Sequence, residues 1–359
     1  MHRFDEPVGR CHFDKYGRVY GNAPMPRVPC RPLPNRRQSN WPAFYETGLP
    51  NVLYRVHIPS SSHTSYTKDR GFVPSAGVTR RVFDRLALHN AAVDHCLGWF
   101  LQFRVPSPFV SLSCSFGYAV WEALRRYTGK WSLKDAIICF VDCRALLRRR
   151  PADKYLFHAV ELIDDFGPCA SSGCVRGCER AARYANIADE LLVLGSVPQG
   201  TVIGSISFED LLIRLPEYFF TPFYAQLAPS QRDITHLVEG FSRNSYRDAH
   251  RAVARNISTS TTETSLASHA EAALDIGIAA CSDTTCATRH LAHRVRIVAT
   301  DVANWIISWA DLEAEPQDDL VKHIDAAWYV NEYIAFRAIL CVWEEEEDLE
   351  SVRLISRSC

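Results

Sequence analysis

Ala188-Asp189-Glu190-Leu191-Leu192-Val193-Leu194-Gly195-Ser196-Val197-Pro198 sets an acidic pair against an apolar run closed by glycine and proline. Four consecutive branched aliphatic residues bounded by turn formers read as a buried strand. A second strand, Thr201-Val202-Ile203-Gly204-Ser205-Ile206, follows closely. Toward the N-terminus, strands are predicted at 52–56 (Val-Leu-Tyr-Arg-Val), 109–113 (Phe-Val-Ser-Leu-Ser), 136–141 and 155–160. Helical spacing of apolar residues runs from Val82 to Phe100 and, more briefly, from Tyr118 to Tyr127. Two long helical patterns among six strands leave no strict β–α alternation. That argues for an α+β fold and against a doubly wound parallel sheet.

The flanks read differently. Residues 1–48 carry prolines at 7, 24, 26, 29, 32, 34 and 42, a basic excess and no apolar periodicity. Such a segment buries too little apolar area to offset its ordering entropy, so a mobile basic arm is expected. The core domain is expected over 49–215, and a partly flexible connecting segment over 216–265, which ends in the polar run Ser258–Ser265. A helical region is expected over 266–359. There Leu291, Val295, Val298, Val302, Trp305, Trp309 and Leu312 recur at helical steps, and a second stripe runs from Leu320 to Cys341 beyond Pro316. The acidic run Glu344–Asp348 reads as a solvated face.

Composition bounds the function classes. The chain has 359 residues with 47% hydrophobic and 23% charged residues, enough for a sizeable core. Its formal net charge of −1 supplies no excess for nucleic-acid binding. No stretch approaches the roughly 18 apolar residues of a membrane span. Thirteen cysteines, without framework spacing or a signal-like leader, predict free thiols in an intracellular, cytoplasmic protein. Cys169, Cys174 and Cys178 lie in a Gly/Ser-rich stretch read as a loop, and Cys281, Cys286, His290 and His293 form a second group. Neither has zinc-ligand spacing, so no metal is expected. Phosphate-binding glycine loops and the G-x-S-x-G elbow are missing from the sequence, which weighs against P-loop enzymes and α/β-hydrolases.

Three features fall in order along the central region. Arg55 sits inside an otherwise apolar strand followed by a polar stretch, Pro59–Arg70, expected to be a loop, and a cation there needs a partner or a cleft. Ser111 and Ser113, two apart on a strand, share a face. Glu190 stands at the mouth of the strand quoted above. Leu53-Tyr54-Arg55, Phe109–Ser113 and Glu190 leading to Gly195-Ser196-Val197-Pro198 together resemble the mono-ADP-ribosyltransferase family. The likeness is to the A subunits of the heat-labile enterotoxin and cholera toxin class and to related uncharacterised fungal domains, and Phe83-Asp84-Arg85 adds a further landmark. It covers about residues 50–212.

The resemblance implies a split β-sheet core with flanking helices, and NAD as substrate. Glu190 would stabilise the ribosyl cation formed when the nicotinamide–ribose bond breaks, with Ser111 orienting it. Arg55 would anchor the dinucleotide, and Ser113 would hydrogen-bond within the same cleft. Arginine-modifying members carry Glu-x-Glu, whereas the earlier position here is Ala188. In an extended segment Ala188 would share a face with Glu190 and Asp189 would point away. The expected activity is therefore NAD hydrolysis or ADP-ribose transfer to an unidentified protein acceptor. The alternative is a catalytically inactive interaction module of the same fold, its helical region supplying the partner surface. Neither a membrane nor a nucleic-acid partner is expected.

Overall fold

The computed structural model describes residues 49–309 except 60–63, 68, 78–84, 102–105, 129–134, 150–154, 165–171, 222–227, 229–230, 238–245, 261–265 and 283–287. In chain order the elements are β1 (Val52–His57), β2 (Thr64–Thr67), β3 (Gly71–Pro74), α1 (Arg85–Leu101), β4 (Phe109–Ser113), α2 (Phe116–Thr128) and β5 (Ile137–Asp142). Then come α3 (Cys143–Arg149), β6 (Leu156–His158), α4 (Ala159–Asp164), α5 (Ser172–Ala188), β7 (Glu190–Leu194) and β8 (Val202–Ser207). They are followed by α6 (Phe208–Leu212), α7 (Tyr246–Ser260), α8 (Leu266–Cys281) and α9 (Thr288–Trp309). The fold is mixed, with mostly antiparallel strand pairing beside helices, in keeping with the α+β class. The chain clusters into two compact units: Met1–Ala119 with Val141–Val202, and Val120–Phe140 with Ile203–Cys359.

In the first unit the strand order is β6-β7-β4-β1, each neighbouring pair antiparallel. Phe109 lies opposite Leu194, Ser111 opposite Leu192, Ser113 opposite Glu190, and Phe157 opposite Leu192. Directly opposed residues share a face, so Phe109, Ser111, Ser113, Glu190, Leu192 and Phe157 all project to one side. On that side Phe109, Leu192 and Phe157 join Leu88, Ala92 and Cys96 of α1, Leu162 and Ile163 of α4, and Cys178, Ala181 and Ala185 of α5 in one core. Of the polar groups on that face, Ser113 and Glu190 are buried and Ser111 is partly buried.

Three expectations give way here. The Cys174–Cys178 stretch is part of α5, not a loop. Cys178, Ala181, Ala185 and Ala188 are buried at steps of three and four, a small-residue stripe that lets the helix approach the sheet. The predicted strand 155–160 is extended only over Leu156–His158, and α4 begins at Ala159. The polar stretch Pro59–Arg70, expected to be a loop, contains β2, which pairs with β3 so that Tyr66 opposes Phe72. This ribbon is tied down by reciprocal backbone bonds between Phe72 and Val197, both 2.9 Å. Gly71 makes that approach feasible. Its φ is +78°, and a β-carbon there would collide with the Val197 carbonyl.

In the second unit β5 lies beside β8, and Phe208 N–H donates to the Ala136 carbonyl at 2.9 Å. Gly204 in β8 accommodates the Ala280 carbonyl of α8, and Gly277 gives α8 its close approach to Ala299 of α9. Val295, Val298 and Val302 of the heptad-like stripe are buried, and Trp305 stacks on Phe219 with ring centroids 6.0 Å apart. The run at 258–265 is helical through Ser260, because α7 extends that far. The arm at 1–48, Leu312, the second stripe and the acidic run lie outside the described residues, as does Cys169. Among the described residues no helix is long and apolar enough to cross a membrane.

Candidate functional site

The site forms where β4 and β7 meet on the helix-covered face. Ser111 is the diagonal same-face neighbour of Glu190, and its Oγ donates to Glu190 Oε1. Ser113 lies directly opposite Glu190, but its hydroxyl turns to the chain leading into that residue. Its Oγ donates to the Ala188 carbonyl at 2.6 Å and accepts from Ser115 N–H at 3.0 Å. Asp189 adopts φ +45°, the left-handed region, and its carbonyl accepts from Cys114 N–H at 2.9 Å. Ala188 is the last residue of α5, so residues 188–190 are not extended and the alternating-face expectation for them does not hold. Both β4 hydroxyls thus act on Glu190: one on its carboxylate, the other on its backbone approach.

Arg55 enters from β1, whose Tyr54 opposes Ser113. Its Nη1 donates to the Ser111 carbonyl at 2.5 Å, and its guanidinium carbon lies 5.2 Å from the centroid of the Phe72 ring. A planar cation over an aromatic face is favourable by roughly 0.5–2 kcal/mol. Phe72 also contacts Tyr66 (4.7 Å between centroids) and His57 (5.6 Å), so an aromatic cluster backs the guanidinium. Arg55 and Glu190 are therefore both tied to Ser111, the one at its backbone carbonyl and the other at its hydroxyl.

Helix α1 adds two residues that sequence reasoning missed. Cys96 Sγ donates to Glu190 Oε2 at 3.5 Å. His95 places Nε2 at 3.7 Å from Glu190 Oε1 and Nδ1 at 2.6 Å from Ser107 Oγ. Burial, reinforced by the Arg55 charge, lowers His95 to about 3, so the ring is neutral at pH 7 and its contact with Glu190 is not an ion pair. Ser107 Oγ already accepts from Phe109 N–H at 3.1 Å. The neutral ring is thus anchored through Nδ1 to Ser107 and presents its Nε2 side to Glu190. Burial, followed by the Glu190 charge and hydrogen bond, pushes the Cys96 thiol well above its ordinary value, so it stays a protonated donor. The available signal was a polar pair, His95-Cys96, on the same helix as the apolar positions Leu88 and Ala92.

The family model described as "Domain of unknown function (DUF7587)" matches residues 48–211. That is less than half of the chain. None of the curated proteins compared with it matches. The matched span contains Arg55, His95, Cys96, Ser111, Ser113 and Glu190, so the chain's likeness to this family takes in the whole site.

Chemically, the arrangement offers a carboxylate that is 8% exposed, neutral donors on both of its oxygens, and a guanidinium one residue away through Ser111. Such a carboxylate suits stabilisation of a neighbouring positive charge or acceptance of a hydroxyl proton in a hydrogen bond. Among the described residues no group of three or more His, Cys, Asp or Glu side chains could hold a metal ion.

Proposed function

We propose that the domain at 49–215 has the ADP-ribosyltransferase fold and cleaves NAD at the nicotinamide–ribose bond. Water, or a protein side chain, would receive the ADP-ribose. The observation that carries this reading is the grouping of Arg55, Ser111 and Glu190, three residues far apart in sequence that meet through two hydrogen bonds. Departure of nicotinamide leaves an oxocarbenium-like ribosyl cation, and a carboxylate beside it lowers the barrier. Glu190 takes that part, and Ser111 sets its orientation. Arg55 supplies a planar fork for phosphate or ribose oxygens, with Phe72 behind it. Ser113 fixes the turn that delivers Glu190 rather than touching the dinucleotide itself.

The acceptor follows from position 188. In the arginine-modifying members of the resembled family a glutamate two residues before the catalytic one readies the guanidinium, and Ala188 stands in that place here. Hydrolysis, or transfer to a different side chain, is therefore favoured over arginine modification.

A second reading, an inactive interaction module of this fold, draws on the same alanine and on how enclosed Glu190 is. Nicotinamide release from NAD by the purified protein separates the two readings, with Glu190→Gln as control because it keeps shape and removes charge. Release lost in Glu190→Gln is the expected result. No release from either protein, together with a flat NAD titration, overturns the enzyme reading in favour of the module.

A further inference from the structure

We propose that Cys96 is a positioning residue for Glu190: its thiol holds Oε2 while Ser111 holds Oε1, which fixes the plane of the carboxylate. The inference rests on the reading of Glu190 as the group that faces the ribosyl cation.

The terminal torsion of a glutamate is broad and roughly two-fold, so a carboxylate held at one oxygen can still swing about its last bond. Donors on both oxygens remove that freedom. Glu190 has them: the Ser111 hydroxyl from the neighbouring strand and the Cys96 thiol, at 3.5 Å, from the helix packed over that strand. Cys96 is 2% exposed and lies in the core formed by Leu88, Ala92, Cys178, Ala181 and Ala185, so its Sγ is set by packing of α1 rather than by solvent. Both donors are neutral. A lysine or arginine in the place of Cys96 would orient the carboxylate equally well but would cancel the charge that a developing cation needs. A thiol is a weak donor, so it orients at little electrostatic cost. The thiol also remains protonated, because burial and the Glu190 charge both oppose thiolate formation. Cys96 itself touches no substrate in this scheme and acts through Glu190.

The test begins with the infrared S–H stretching band of the full-length protein, taken as the difference between wild type and Cys96→Ser. We expect a band on the low-frequency side of the other thiols that moves up in Glu190→Gln, where the acceptor loses its charge. A band that does not respond to Glu190→Gln overturns the proposal. Nicotinamide release gives the second readout. Loss of a donor to the ionised carboxylate raises its pKa, so Cys96→Ala is expected to shift the acid limb of the kcat profile up by about half a pH unit. Cys96→Ser, which restores a neutral donor, is expected to bring it back. An acid limb unmoved in Cys96→Ala refutes the positioning role, whereas a general loss of folding would not be mended by serine. A responsive S–H band in a protein that releases no nicotinamide would defeat the NAD reading and leave the two-donor clamp standing.

Discussion

His95 is a proton sink in the unfolded chain and not in the folded one, and that asymmetry makes the protein sensitive to mild acid in a calculable way. The folded ring titrates at about 3, against about 6.5 when unfolded. Because the folded value is depressed, the unfolded state takes up the proton first. Stability is fully present above about 6.5 and is lost as the pH falls toward 3. At about 1.4 kcal/mol per pH unit, roughly 2 kcal/mol disappears between pH 7 and pH 5, and about 4 kcal/mol by pH 3, where the folded ring is itself half protonated. Other groups also titrate over this range, so the informative quantity is the difference between wild type and His95→Gln. Urea unfolding of both proteins at pH 7, 6 and 5 supplies it. Whatever the gap at pH 7, it should narrow by about 2 kcal/mol at pH 5, in favour of the variant. His89, lowered by burial, pushes in the same direction in both proteins and cancels. Parallel stability curves would mean that His95 is not held neutral, and the account of its contact with Glu190 would fail with it.

Ser111→Ala removes the hydroxyl from Glu190 Oε1. A hydrogen bond to a charged group contributes about 2 kcal/mol, so nicotinamide release should fall by roughly thirtyfold while the fold is retained by circular dichroism. Gly71→Ala and Gly77→Ala form a matched pair. Both glycines have positive φ, but only Gly71 faces a carbonyl, that of Val197, where a β-carbon would sit. Gly77→Ala should cost about 1 kcal/mol in thermal unfolding and Gly71→Ala at least about 2 kcal/mol more. In the second unit, Glu122 is buried between Arg125 and Arg126, each 2.7 Å away. Burial pushes its carboxyl up, yet the two guanidinium groups outweigh that and hold it below the usual range. Its contribution is thus present above the unfolded pKa of about 4.3 and is lost as pH falls through the folded value. Glu122→Gln should be about 2–3 kcal/mol less stable than wild type at neutral pH, a gap that closes in strong acid.

Legibility followed the range of the signal. The strands at 52–56, 109–113 and 191–194 carry their own evidence in two-residue alternation or unbroken apolar runs, and each is found within a residue or two. The Ser111–Ser113 pairing on one face follows from strand period alone. Nothing local says that β4 and β7 are neighbours, nor that α1 crosses them with Cys96 over Glu190, because packing at a distance decides both. α5 was obscured by its opening, Ser172-Gly173-Cys174, which reads as loop chemistry. Its alanine stripe decides in favour of helix once the sheet is there to receive it. The β2–β3 ribbon hid in polar composition: Thr64-Ser65-Tyr66-Thr67 has strand-forming residues but no apolar face of its own until Phe72 arrives opposite Tyr66. The turn at Ala188–Asp189 is the subtlest case. Asp189 is of a residue type that tolerates left-handed φ, but an aspartate is far commoner elsewhere, so its presence alone does not announce the turn that leads into Glu190.

The hydrogen bonds that assemble the site span 56 residues, from Arg55 to Ser111, and a further 79, from Ser111 to Glu190. During synthesis from the N-terminus, Arg55 and Ser111 emerge early and must wait for β7, which fills the place between β4 and β6 in the strand order. Until then β4 has no partner on that side, and the nascent sheet has an open edge there. The last strand of the first unit to leave the ribosome is therefore the one that brings the carboxylate. A truncated or stalled product carries the cation and the hydroxyls without their anion, so whatever chemistry the site performs is confined to chains that have been completed through Glu190.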